Sequence, residues 1–93
     1  MMLPLPVLIT PGDAAELLAK RLRAERRRQR WTQAELARRS GLSVATIARF
    51  ERGGEGQVAS LLAVFAALGR LDDLDALLRP PRPASLDDLR KGP

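Results

Sequence analysis

Residues 32–53, TQAELARRSGLSVATIARFERG, constrain the fold more tightly than any other part of the chain. Thr32 followed three positions later by Glu35 forms a capping box: the hydroxyl accepts from an orphan helix amide and the carboxylate reaches back to the cap. A helix therefore starts here, and after about two turns it meets Gly41, a residue free to take the left-handed conformation that a tight turn needs. Ser43 can cap a second helix, which Gly53 ends. With Gln33 counted as the first residue of the pair, Leu36, Leu42, Ile47 and Phe50 occupy the apolar slots that hold the helices together. Ala37 falls where they cross closest and a larger side chain would push them apart. The pattern predicts two short helices locked across a turn of about three residues, a helix-turn-helix unit.

The rest of the chain supplies the supports. Leu and Ala dominate its apolar content and aromatics are few, so an all-α fold is expected. A first helix starts at Thr10 or Asp13, with Pro11 suited to its first position, and fades near Gln29 or Arg30. Ala15, Leu18, Leu22 and Glu25/Arg26 recur on it at helical spacing. Trp31 is expected to staple the first helix to the second. Beyond the glycine-rich loop, Leu61, Leu62, Phe65 and Leu68 predict a core-facing stripe, and Leu71, Leu74, Leu77 and Leu78 a short fifth helix over 71–78. Residues 1–12 read as a short apolar arm, 13–79 as a five-helix domain, and 80–93 as a proline-rich tail.

Charge and missing residue types narrow the chemistry. Residues 1–52 carry a balance of +6 and residues 53–93 one of −1, so the basic surface belongs to the first half and suits a polyanion. The chain has no Cys and no His, which removes thiolate chemistry, Cys/His zinc sites and imidazole bases, and fits a reducing cytoplasm. Asp72, Asp73 and Asp75 lie near a helix start, where the helix dipole favours them, so no metal site is expected. The Gly54-x-Gly56-x-x-Ala59 spacing resembles a dinucleotide fingerprint but follows a helix, not a strand, and is set aside. The opening MMLPLPVLIT is too short to span a membrane and lacks a basic leader. No catalytic constellation or cofactor is expected.

Residues 32–53, extended back through Leu18, Leu22 and Arg26 and forward through Leu61, Leu62, Phe65 and Leu68, resemble the Xre family of helix-turn-helix regulators over roughly residues 14–69. The resemblance implies a repressor-like five-helix domain that binds double-stranded DNA as a homodimer on a pseudo-palindromic operator. It implies that Ser43, Val44, Ala45 and Arg49 face base edges, that Gln33, Thr46, Arg52, Gln57 and Arg30 lie near phosphates, and that Arg26 and Glu51 form a partly buried salt bridge. Val44 and Ala45 can read only apolar features such as thymine methyls, whereas Arg49 suits guanine O6 and N7. The surplus apolar residues Val7, Ile9, Leu71, Leu74, Leu77 and Leu78 are the expected dimer contacts. The LGRLDDLDALL segment and the tail resemble antitoxins of the HipB type, which implies a HipA-like kinase toxin as a further partner. The competing expectation is a protein-interaction adaptor that uses the same fold without DNA.

Overall fold

The computed structural model describes residues 10–81, and among them every regular element is helical. The arm residues Val7 and Ile9 and the tail beyond residue 81 lie outside the described residues.

Helix α1 runs Pro11–Arg28. It takes the earlier of the two available starts because the box there closes in both directions. Thr10 Oγ1 accepts the Asp13 amide at 3.0 Å and the Asp13 carboxylate accepts the Thr10 amide at 3.1 Å. Pro11 lacks an N–H at a position where that donor would go unused. At the other end Gln29 caps, and the chain reverses through Arg30 at φ 63. The Arg30 amide bonds to Arg27 O at 2.9 Å and the Trp31 amide to Arg26 O at 3.1 Å, a two-bond C-terminal motif that usually holds glycine at the left-handed position.

Helix α2 spans Gln33–Ser40 and α3 spans Val44–Gly53. Thr32 Oγ1 accepts the Glu35 amide at 3.0 Å, but the expected box is half made. The Glu35 carboxylate turns away to Arg38 and Arg39, at i+3 and i+4, where charge-assisted bonds outweigh a single backbone amide. The turn passes through Gly41 at φ 74, and Ser43 Oγ accepts the Thr46 amide at 3.1 Å to start α3. The left-handed residue that ends α3 is Gly54 at φ 70, not Gly53. A Cβ at Gly54 would stand 2.6 Å from the Ala15 carbonyl oxygen, so α1 packs against bare backbone there.

Helix α4 runs Val58–Ala67. The predicted stripe on it needs one correction: Leu62 is exposed and Val64 is buried. At about 100° per residue, Leu61, Val64, Phe65 and Leu68 share one face and Leu62 leaves it. The expected fifth helix is a short 3-10 helix over Leu71–Ala76. Its cap, Arg70, makes no side-chain cap bond, and Leu77 is extended, so no further turn is added.

The core gathers Leu22 of α1, Leu36 and Ala37 of α2, Ile47 and Phe50 of α3, Val64 of α4, and Leu68. Leu18, Trp31, Leu42, Leu61 and Phe65 pack around it. Each large member contributes about 1.5–3 kcal/mol by burial. The core thus clamps α2 and α3 between α1 and α4. No helix among the described residues is long and apolar enough to cross a membrane.

Candidate nucleic-acid interface

The face of α3 away from the core is set by its cap. Ser43 orients the first turn, and burial of Ile47 and Phe50 turns Val44, Ala45 and Arg49 outward. Val44 remains 45% exposed. The Ser43 and Thr46 hydroxyls bond each other at 2.9 Å, so both are held in place at the helix entrance. Arg49 extends from the same face, with Nη2 3.5 Å from Thr46 Oγ1.

Beside this face lies a crevice between α1, the start of α2, and α3, lined by Arg23, Arg27, Gln33, Ala48 and Arg52 around the pair Arg26 and Glu51. Arg26 Nε donates to Glu51 Oε2 at 2.6 Å and Nη2 to Oε1 at 2.9 Å, while Nη1 donates to the Trp31 carbonyl at 2.7 Å. The two side chains are 9% and 5% exposed. Gln33 Nε2 donates to Glu51 Oε1 at 3.2 Å, which ties the first residue of α2 to α3. Burial pushes the Glu51 carboxyl up, but the bonds from Arg26 and Gln33 and the charges of Arg26 and Arg23 outweigh it and hold the group below its ordinary range. One carboxylate thus fixes three helices. The surplus cations Arg23, Arg27 and Arg52 are exposed around it.

Of the residues the sequence singled out near phosphates, Gln33 and Arg52 share this crevice. Gln57 caps α4 with no side-chain cap bond and is exposed, Thr46 sits on α3, and Arg30 lies on the left-handed turn after α1. Arg23 and Arg27 belong to the basic run of the first half but were not placed among the phosphate contacts, and Ala48 was passed over. The i, i+4 spacing of Arg23 and Arg27, which puts both on the same side of Arg26 on α1, was the available signal.

Leu71, Leu77 and Leu78 are exposed, and Leu74 half-buried, at the far end of the domain. Glu25 anchors that end: it takes Arg28 at 2.6 Å, Gln29 at 2.8 Å and Arg70 at 2.9 Å. The bonds from Arg28 and Gln29, with the charges of Arg28 and Arg70, hold its carboxyl down at about 2.

The sequence profile of the helix-turn-helix family HTH_3 matches residues 22–72, more than half of the chain. The chain belongs to this Xre-type helix-turn-helix family. No curated protein matches the chain. The matched span of this helix-turn-helix protein begins inside α1 and ends within the 3-10 helix, so it takes in the crevice and the outward face of α3. The family is one of DNA-binding transcription regulators, and nine of the eleven Lys and Arg residues of the first half lie within the matched span.

Proposed function

We propose that this helix-turn-helix protein is a cytoplasmic repressor that binds a pseudo-palindromic operator in double-stranded DNA as a homodimer. The observation that carries the reading is the continuity of two surfaces: the outward face of α3, with exposed Val44, Ala45 and Arg49, runs through Ala48 and Arg52 into the arginine-lined crevice. A helix that enters the major groove needs base-reading side chains on one face and cations where the phosphates pass. Val44 and Ala45 meet thymine methyls, and Arg49 donates to guanine O6 and N7. Ser43 keeps hydroxyl capacity for a base edge beyond its cap bond. Gln33, Thr46, Arg52, Gln57 and Arg30 contact the backbone. Few hydrogen bonds reach the bases, so DNA shape carries much of the discrimination.

Two-fold pairing puts two such helices into successive major grooves about 34–36 Å apart. Leu71, Leu74, Leu77 and Leu78, with Val7 and Ile9, form the contact in this reading, which the exposure of Leu71, Leu77 and Leu78 supports. The tail composition further supports an antitoxin that represses its own operon and holds a HipA-like kinase toxin.

A salt series on the chain's own promoter tests the reading. A dimer that neutralises roughly 6–10 phosphates loses about 10³–10⁵ in affinity between 50 and 200 mM salt. Arg49→Ala then costs about 1–3 kcal/mol on the operator and relaxes discrimination at one base pair, whereas Gln33→Ala weakens specific and nonspecific duplexes alike. Flat salt dependence, or no binding at low salt, favours an adaptor that works without DNA.

A further inference from the structure

The four residues Leu71-Asp72-Asp73-Leu74 recur without change as Leu86-Asp87-Asp88-Leu89. The first copy shows how such a segment sits. It winds as a 3-10 helix, and Leu74 lines a groove between α1 and α4 with Leu18, Leu22, Phe65 and Leu68. Asp73 takes Arg70 at 2.7 Å, and Arg70 reaches on to Glu25 of α1. The segment thus offers a leucine to an apolar floor and a carboxylate to an arginine at the rim.

The first copy leaves the groove open. Leu77 on its wall is 66% exposed, and Arg21 on the α1 rim is exposed with no carboxylate paired to it among the described residues. We propose that the second copy, within residues 85–90, docks in this groove of its own chain. Leu86 and Leu89 cover Leu18, Phe65 and Leu77, and Asp87 or Asp88 faces Arg21. The match is chemical as well as sequential: an acidic, leucine-bearing turn meets an apolar floor with a spare cation on its edge.

The tether allows it. Leu86 lies nine positions after Leu77, and a proline-bearing spacer of that length reaches about 28 Å at roughly 3.1 Å per residue, ample for a groove between two packed helices. A short linker raises the effective concentration to the order of millimolar, so a contact with a Kd in that range is about half occupied. Docking hides Leu74 and Leu77 from a second copy, which makes the tail a competitor of self-association. The inference rests on the groove and the repeat, not on the DNA-binding reading, and its failure leaves that reading untouched.

The absence of cysteine permits a unique label. A nitroxide on the full-length Lys91→Cys chain should cause loss of amide signal intensity at Leu18, Arg21, Leu22 and Phe65. The loss should vanish in the same chain carrying Leu86→Ser and Leu89→Ser. Loss that persists in that variant, or is absent from the start, overturns the proposal. A mixture of spin-labelled unenriched chain with unlabelled nitrogen-15 chain tests the source. At a concentration where sedimentation shows the chain monomeric, silence is expected, and loss at the groove there would overturn docking in cis by placing the tail on a second copy.

Discussion

Removal of one partner from the Arg26–Glu51 pair should cost far more than removal of a surface ion pair. Both side chains are almost fully withdrawn from water, and three guanidinium nitrogens are committed, two to Glu51 and one to the Trp31 carbonyl. Glu51→Ala strips two charge-assisted bonds and leaves a buried cation with one carbonyl for company. It also frees Gln33 from α3. Breaking such a pair costs about 3–5 kcal/mol. The described span of residues 10–81 has a total stability of only about 4–11 kcal/mol at ordinary per-residue values, so the variant loses a large share of it. Its thermal midpoint should fall by at least about 10 °C. Glu35→Ala is the control: its partners Arg38 and Arg39 are exposed, and the loss should stay within about 1 kcal/mol. Arg26→Met with Glu51→Leu should recover most of the single-variant loss, because no unpaired charge is left inside. Urea unfolding followed by circular dichroism measures all three. A Glu51→Ala loss no larger than that of Glu35→Ala would refute the argument that burial gives this pair its weight.

Gly54→Ala should destabilise by at least about 2 kcal/mol, since it strains a left-handed backbone and drives a methyl into the Ala15 carbonyl, whereas Gly53→Ala, with no atom near its Cβ, should be neutral or stabilising. Equal urea midpoints for the two would contradict the assignment of the turn. Arg30→Gly should raise stability by about 0.5–1 kcal/mol by relieving the positive φ, net of glycine's backbone entropy; a lower midpoint would show that the arginine side chain outweighs the strain. Glu25 has its carboxyl lowered from an ordinary 4.5 to about 2, so the stability it contributes is complete above the upper value and drains away as pH falls toward the lower one. Glu25→Gln should therefore flatten the stability profile across that window and leave it parallel to the parent above about pH 5, and an unchanged acid slope would exclude Glu25 as its source.

The helix-turn-helix unit was legible because its signals are local. Thr32, Gly41 and Ser43 each act on backbone groups within a few residues, and their caps and turn stand where the sequence put them. The phase of α4 was not legible, for a physical reason: residues 58–67 contain no charge and a single hydroxyl, so no polar side marks which face looks outward. Leu62 and Val64 were told apart only by packing. The choice between Gly53 and Gly54 was likewise made from a distance, by the Ala15 backbone arriving from α1. On α1 the difficulty is the reverse, because arginines surround the helix and nothing local says which of them face α3. The contact of Arg26 with Glu51, 25 positions away, is invisible to periodicity and came into view only through the family resemblance. Glu25 on α1 is likewise paired from a distance, by Arg70 from beyond α4.

Trp31, the chain's single tryptophan, sits where α1 hands over to α2, and its position has a practical consequence. Its carbonyl accepts Arg26, and the Arg39 guanidinium lies 4.2 Å from the centre of its ring. A guanidinium stacked on the indole face covers part of that face and places a charge beside the ring. The molecule therefore carries an intrinsic optical reporter at the junction of its first two helices. Emission and quenching by neutral acrylamide would register an event that draws Arg39 off the ring, with no dye attached and no residue changed.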